Sequence, residues 1–307
     1  MQALLDAIAA LPALPTHARR LFHGRGGLHP GCEHLALDAY PPVVLLTSFE
    51  PLDEAALAAV GGALAARWHD LAPGESPTWV YQCRGRDAGT RLMAGAVPEP
   101  HVVDEAGTRY LVHLLRGQNH GLFLDMAEGR RWVREHVKPG AQVLNLFAYT
   151  CAFSVVALQA GAAQVLNVDM ASGALATGRS NHELNGVKAG AKFLAHDIFN
   201  SWGKLTRGGP YDLLVCDPPS FQKGSFVATK DYARLARRLP GLLAPGGLAL
   251  LCLNAPELDE GFLRDTVAAE APELAFLGRV PNPPAFADVS PQRALKVLAY
   301  ERPASAG

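Results

Sequence analysis

Short apolar strands alternate with helices through the second half of this 307-residue chain, and this alternation limits its fold more than any other feature. Strands that are buried on both faces of a sheet read as apolar runs of this kind. The alternation predicts a doubly wound, mostly parallel α/β sheet of Rossmann-like type. The predicted strands are QVLNLF (142–147), QVLNVD (164–169), KFLAHD (192–197), YDLLVCD (211–217) and LALLCLN (248–254), with helices at 125–137, 152–160, 171–185, 228–243 and 259–270.

The chain ends in a different pattern. ELAFLGRV (273–280) and ALKVLAYER (294–302) are two predicted strands, and the proline-rich segment between them cannot be helical. A parallel sheet that ends in an antiparallel hairpin is typical of the large class of methyltransferases that use S-adenosylmethionine. A nicotinamide-dependent oxidoreductase would carry GxGxxG after the first strand, and this motif is absent here.

The first part of the chain predicts a smaller α+β domain over residues 1–85. A connecting β-hairpin is predicted over 86–118, and the catalytic domain over 119–307. The hairpin reads as two β-rich runs around Glu-Ala-Gly. Within the small domain we predict helices at 2–11 and 53–68 and strands at 43–49 and 79–83.

Composition indicates a globular protein, with 49% hydrophobic and 19% charged residues. The net charge of −1 neither requires nor excludes a polyanionic partner, because a local basic patch can exist in a neutral chain. Five scattered cysteines without CxxC spacing suggest reduced thiols in a cytoplasm. We find no secretory signal, no apolar run that spans a bilayer and no metal-ligand motif, so we expect a soluble cytoplasmic protein without a metal.

In a doubly wound sheet, ligands bind at the carboxyl ends of the strands. Asp169 ends the second strand, where its carboxylate can accept hydrogen bonds from two ribose hydroxyls or cap the next helix, and we favour the ribose role. Asp197 ends the third strand. It can accept an adenine amino group, with Ile198 packed on the ring, or act as a plain cap, and both interpretations stay open.

The segment 217-DPPSF-221 follows the fourth strand. Pro218 and Pro219 fix the backbone, so the Asp217 carboxylate and the Pro218 carbonyl can face one point in the cleft. Phe221 can stack on a planar substrate such as an unpaired base. This interpretation makes the segment part of the catalytic site. The alternative is a rigid turn with a buried aromatic residue.

Polar residues surround an apolar LFL in 119-NHGLFLDMAEGRR-131, before the first strand. If this segment covers the cofactor, an arginine and Asn119 can bind a carboxylate, and Asp125 can bind an ammonium group. The alternative is a solvated amphipathic helix.

The motifs GLFLD…RR, VLNLFAYT, NVDMASGAL, NHELNG and DPPSF, in this order, resemble bacterial 23S rRNA methyltransferases. These include the cytosine-5 enzymes and the guanine-N7 module of the large two-part enzyme. The resemblance covers about residues 80–302, and 79-WVYQCRGRDAGTRLMAG-95 is similar to that group's middle domain. It implies S-adenosylmethionine as cofactor and RNA, specifically large-subunit rRNA, as partner. The small N-terminal RNA-binding domain of many cytosine-5 relatives has no expected counterpart here.

The resemblance also implies roles for individual residues. Asp169 and Met170 would hold the ribose and adenine, Asp197 and Ile198 the adenine edge, and Asp217 would line the transfer point. Residues near the methionine end of the cofactor would be Asn119, Phe123, Asp125 and Arg130, and the cofactor loop and the strand before it would contribute Asn145, Phe147, Tyr149 and Thr150. The family's loop reads F-S-Y-T-G. Cys151 takes the place of its glycine here, and we expect the backbone of Cys151 to avoid positive φ.

Cytosine-5 enzymes need a nucleophilic cysteine, because C5 reacts only after C6 is attacked. In those relatives it lies seven residues after a Gly-Gly turn, which corresponds to Asn254 here. Cys216 and Cys252 are expected in the core. The chain therefore resembles the guanine-N7 branch, with direct methyl transfer and Asn254 in the acceptor pocket. The alternatives are a protein or small-molecule acceptor, or a non-catalytic RNA-binding module. A monomer and a homodimer are both open.

Overall fold

The computed structural model describes residues 1–84, 88–219, 221–222 and 226–304. The chain divides into two compact units. The first unit is Met1–Leu124 with Pro284–Pro291, and the second is Asp125–Pro283 with Gln292–Gly307. The three-part division predicted from the sequence stays a prediction. In the described part of the chain, no helix is both long enough and apolar enough to cross a membrane.

The first unit is built on a five-stranded sheet in the order β1-β2-β3-β4-β5. Only β3 and β4 are parallel neighbours, and α2 connects them. A separate hairpin, β6–β7, follows. The elements are α1 Gln2–Ala9, β1 Arg19–His23, β2 Leu35–Tyr40, β3 Val43–Ser48, α2 Glu54–Leu71, β4 Thr78–Cys83, β5 Gly89–Ala94, β6 His101–Glu105 and β7 Thr108–Val112.

The sequence predicted α1, β3, α2, β4 and the β6–β7 hairpin but missed β1, β2 and β5. All six residues of β2 are buried, although Asp38 lies in the middle of the strand. The structure resolves this conflict by pairing the Asp38 carboxylate with the Arg20 guanidinium at 2.7 and 3.0 Å. A charge in a fully buried strand obscured the apolar pattern. β5 is an edge strand with no clear alternation of buried and exposed residues.

The second unit is built on a seven-stranded sheet in the order β10-β9-β8-β11-β14-β16-β15. Its strands are parallel except β16, which is antiparallel to both neighbours. The doubly wound sheet with a terminal antiparallel hairpin is thus confirmed. The elements are α3 Ala127–His136, β8 Gln142–Leu146, α4 Ala152–Gln159, β9 Gln164–Asp169, α5 Ser172–Leu184, β10 Ala191–Ala195, α6 Trp202–Gly208, β11 Tyr211–Cys216, β12 Phe221–Gln222, β13 Phe226–Val227, α7 Ala228–Ala236, α8 Leu239–Leu242, β14 Leu243–Leu253, α9 Glu260–Glu270, β15 Ala275–Val280 and β16 Lys296–Glu301.

Two apolar cores lie on the two faces of this sheet. One core joins the sheet to α6, α7, α8 and α9, and includes Leu214 and Cys216 of β11. The other joins it to α3 and α4, and includes Leu213 and Val215 of the same strand. Because β11 is buried on both faces, its sequence is apolar almost throughout.

The helix predicted over 228–243 is two helices, α7 and α8. Pro240 lies in the first turn of α8. Proline lacks the N–H that a continuous helix would use here, but it is well tolerated in a first turn. The single-helix prediction was therefore wrong, and the proline was the available signal.

Candidate functional site

The carboxyl ends of β8, β9, β10, β11 and β14 lie at one edge of the sheet of the second unit, since these strands are parallel. Asp169 is the last residue of β9, and Asp197 comes two residues after β10. Phe147, Asp217 and Asn254 directly follow β8, β11 and β14. The fold brings together there the loop 147–151, the two acids Asp169 and Asp197, and the pair Asp217 and Asn254. Asn119 and Phe123 belong to the first unit, where both are exposed.

The loop between β8 and α4 adopts an unusual backbone for a segment without glycine. Phe147, Tyr149 and Cys151 have φ of 56°, 46° and 61°. The expectation that Cys151 avoids positive φ was wrong. Left-handed backbone costs about 1–2 kcal/mol per non-glycine residue, so it persists only where the surroundings hold it in place.

Asp169 holds this loop from the neighbouring strand. Its carboxylate accepts hydrogen bonds from the Tyr149 N–H and the Ala171 N–H, both at 2.8 Å. The second bond comes from the residue before α5, and α5 has no side-chain hydrogen bond at its N-cap, so the cap interpretation is not realised. Each carboxylate oxygen keeps a further lone pair, and the neighbouring Met170 side chain is 53% exposed. Asp169 and Met170 together therefore fit a vicinal diol, which can donate to the carboxylate, with an adjacent flat ring against the Met170 side chain. This role for the two residues stays a prediction.

The structure places Asn145 in a buried polar network beneath the loop. Asn145 Nδ2 donates to Asn167 Oδ1 at 2.9 Å, and Asn167 Nδ2 donates to Ser154 Oγ at 3.0 Å. Ser154 Oγ lies 2.8 Å from His182 Nε2, and His182 Nδ1 lies 2.6 Å from the Gly178 carbonyl.

Each group in this network donates a hydrogen bond to the next, from Asn145 at one end to the Gly178 carbonyl at the other. Because the Gly178 carbonyl can only accept, His182 Nδ1 carries the proton, and Nε2 then accepts from Ser154. Burial lowers the pKa of His182, which favours this neutral form. Asn145 thus links β8 to β9 through its hydrogen bond to Asn167. The contact of Asn145 with the cofactor stays a prediction.

Asp197 caps a short 3₁₀ turn, Ile198–Asn200. Its carboxylate accepts from the Phe199 N–H at 2.9 Å and from Asn200 Nδ2 at 2.5 Å. Ile198 is buried in the core beside α7. The structure therefore realises the cap, and the adenine role of both residues stays a prediction.

Asp217 lies among groups with opposing effects on its carboxyl. Burial and the neighbouring Asp125 raise its pKa to about 7, while Arg130 and a hydrogen bond from the Cys252 thiol act against this shift. Asp125 lies in the 3₁₀ turn directly before α3, and Arg130 lies within α3. The structure thus brings together three of the predicted residues, and Cys252 is a fourth member that the sequence did not suggest.

Cys252 is fully buried, as expected for a core cysteine. Burial and the nearby Asp217 raise the pKa of its thiol well above the usual value, so the sulfur stays protonated and donates a hydrogen bond to the carboxylate. The Tyr232 hydroxyl donates to the backbone carbonyl of Cys252. In an extended strand, residues 252 and 254 lie on the same face, and this alternation was the available signal.

The remaining acceptor residues are described in part. Pro218 is buried and Pro219 is half-buried, directly after Asp217. Asn254 is exposed at the end of β14. The side chain of Phe221 lies outside the described residues. Among the residues that are described, no cluster of three histidines, cysteines or acids could hold a metal ion.

The sheet order, the terminal hairpin and the acids at the strand ends define a Rossmann-like methyltransferase. A family model described as S-adenosylmethionine-dependent methyltransferase matches residues 19–301. The chain therefore belongs to the S-adenosylmethionine-dependent methyltransferase family.

Two named relatives illustrate the similarity. Ribosomal RNA large subunit methyltransferase I of Aeromonas salmonicida is 35% identical over 201 residues, covering 62% of this chain and 50% of the relative. The protein of the same name from Erwinia tasmaniensis is 30% identical over 294 residues, covering 90% of this chain and 71% of the relative. The chain thus spans about half the length of the first of these curated relatives.

Solved structures show the same fold. A candidate S-adenosylmethionine-dependent methyltransferase from Streptococcus mutans has a TM-score of 0.84 and 25% identity, covering 98% of this chain and 81% of that one. A structure with the same values is complexed with S-adenosylhomocysteine (SAH). A tRNA methyltransferase of M. jannaschii, at TM-score 0.59 and 15% identity, shares the fold alone.

Proposed function

We propose that this chain transfers a methyl group from S-adenosylmethionine to a base of large-subunit rRNA, directly and without a cysteine nucleophile. The transfer would resemble guanine-N7 rather than cytosine-5 methylation. The observation that carries this proposal is the state of Cys252. A nucleophilic cysteine acts as a thiolate, whereas Cys252 is fully buried, and this burial raises the pKa of its thiol, so the sulfur stays protonated and donates a hydrogen bond to Asp217.

We propose that the cofactor binds at this edge of the sheet. We assign the ribose and adenine to Asp169 with Met170 and to Asp197 with Ile198. Around them we assign the loop and β8 residues Asn145, Phe147, Tyr149 and Thr150, and, for the methionine end, Asn119, Phe123, Asp125 and Arg130. When bound, the cofactor supplies an electrophilic methyl group on a sulfonium.

The chain's own residues position the acceptor. Above its pKa of about 7, Asp217 is a carboxylate that accepts hydrogen bonds from N–H groups of a base. Pro218 and Pro219 fix the backbone after it. We assign stacking on the ring to Phe221 and the border of the acceptor pocket to Asn254. N7 of guanine has a free lone pair, so orientation and exclusion of water are the chain's main contributions.

The names of the relatives support large-subunit rRNA as the acceptor. The division into a small N-terminal domain (1–85), a connecting hairpin (86–118) and a catalytic domain (119–307) is part of this proposal, as is a cytoplasmic location. The exposed Arg19 and Arg25 are candidate contacts for RNA phosphates.

The test is incubation of the purified chain and radiolabelled S-adenosylmethionine with large-subunit rRNA from a strain that lacks the gene. We expect label in the RNA, and mass spectrometry of its nucleosides identifies the methylated base. C252S should keep the transfer, because serine still donates to Asp217. Label only in protein or small molecules would contradict the rRNA acceptor, and loss of transfer in C252S with normal cofactor binding would contradict the cysteine-independent route.

A further inference from the structure

The inner face of α5 lies against the loop that carries the three left-handed residues. Gly178, Asn181 and His182 on this face are all buried, and so are Thr150 and Cys151 of the loop. A cofactor loop normally relies on glycine for such backbone. Since this loop has none, neighbouring elements must determine its shape.

Gly178 and Cys151 fit each other closely. A Cβ added to Gly178 would lie 2.5 Å from Cys151 Sγ, 3.1 Å from Cys151 Cβ and 3.4 Å from the Thr150 carbonyl carbon. The helix therefore lacks a side chain at the point where the loop has one. Cys151 has the φ of 61° at which a glycine would be favoured.

Asn181 holds the residue before Cys151. Its Nδ2 donates to the Thr150 carbonyl at 2.9 Å within the buried interior. Together with the bond from the Tyr149 N–H to Asp169, this fixes two successive loop residues, and the Gly178 contact fixes the third.

We propose that α5 sets the conformation of the cofactor loop, with Asn181 as a positioning residue and Cys151 with Gly178 as a pair whose sizes are complementary. This proposal rests on the proposed function, because it assumes that the loop binds S-adenosylmethionine. It assigns a cause to the glycine-free loop. At this contact the loop carries the side chain and the helix carries none, and the Thr150 carbonyl is held by the amide of Asn181.

The test compares four variants for binding of S-adenosylmethionine by calorimetry. In G178A the new methyl group displaces Cys151, and in N181A the Thr150 carbonyl loses its donor. If only about a tenth of the molecules of each variant keep a loop that can bind the cofactor, the apparent Kd for S-adenosylmethionine rises about tenfold. C151G/G178A should restore binding close to wild type, because the methyl group then occupies the space of the sulfur.

G173A is the matched control. Gly173 lies on the same helix, and a Cβ there meets nothing within 4 Å, so binding should not change. Thermal denaturation and far-UV circular dichroism show whether each variant folds. A folded G178A that binds like wild type, or a double variant that binds no better than G178A, would overturn the proposal. Failure of the wild-type chain itself to bind would instead overturn the proposed function, and this inference with it.

Discussion

At the scale of the residue, the protonation of Asp217 depends on neighbours with opposite effects. Burial and Asp125 favour the neutral acid, whereas Arg130 and the Cys252 thiol favour the carboxylate. Because the pKa of Asp217 is about 7, small changes in its surroundings alter the fraction of the carboxyl that is ionised near neutral pH. In our account only the carboxylate orients the acceptor.

We therefore predict that kcat/KM rises with pH through about 7, as Asp217 loses its proton. The midpoint should move to higher pH in C252A, because the variant loses a hydrogen bond that favours the carboxylate. D217N should be slow at every pH. Methyl-transfer rates from pH 5.5 to 9 test this, and a C252A midpoint equal to that of wild type would contradict the assigned contact.

Individual residues also show which features of the site could be predicted from the sequence and which could not. The acids at the strand ends could be found because their positions follow from the alternation of strands and helices. Asn181 lies within the NHELNG motif, but its role depends on which loop carbonyl it reaches, and sequence spacing does not contain that distance. The φ of Cys151 was mispredicted because the space beside it comes from Gly178, 27 positions along the chain.

At the scale of the element, one lysine organises the segment that follows β14. Lys296 of β16 is fully buried, and its Nζ donates to the carbonyls of Ala255 at 2.7 Å, Leu258 at 2.6 Å and Gln292 at 3.1 Å. The three donors of the ammonium group are thereby used. The antiparallel strand thus holds the segment that begins directly after Asn254.

We predict that K296M weakens binding of RNA while the Kd for S-adenosylmethionine stays unchanged. The variant removes all three hydrogen bonds, so its stability also falls, by about 1–3 kcal/mol for each carbonyl left without a partner. The Ala255 carbonyl keeps a hydrogen bond from the Leu258 N–H at 3.2 Å. The KM for RNA and the Kd for the cofactor, measured on the folded protein, separate the two effects. K138M is the control, because Lys138 is exposed before the amino end of β8. A changed cofactor Kd with an unchanged RNA KM would contradict this role.

Most elements of the second unit could be predicted because each strand is a short apolar run between helices. In the first unit the same reasoning failed for β1, whose sequence begins with two arginines. The Arg20–Asp38 pair allows both charges to lie within adjacent strands, and no local pattern reveals such a pair. The prediction failed for β5 for the opposite reason, since none of its six residues is buried and such an edge strand needs no apolar face.

At the scale of the whole molecule, buried histidines link stability to pH. Burial lowers the pKa of His101, His120 and His182, and that of His23 to about 4. Below the ordinary histidine pKa of about 6.5 the unfolded chain therefore binds more protons than the folded one, and stability falls as the pH falls. The raised pKa of Asp217 acts in the opposite direction, but it is a single group.

We accordingly predict a lower Tm at pH 5.5 than at pH 7.5, measured by calorimetric melting. H182Q should show a smaller drop than wild type, because one of the buried histidines no longer titrates. H17Q serves as the comparison, since His17 is exposed and pairs with Asp104 at the surface. A Tm that stays constant or rises toward pH 5.5 would contradict the neutral state of these histidines.

The central claim is that the glycine-free loop and the acids at the strand ends bind S-adenosylmethionine. Calorimetric titration of the full chain with this cofactor tests it most directly, with NADH as the control ligand. Our account predicts saturable micromolar binding of S-adenosylmethionine and no heat with NADH. Absence of binding to S-adenosylmethionine, by a chain that melts cooperatively, would contradict the account.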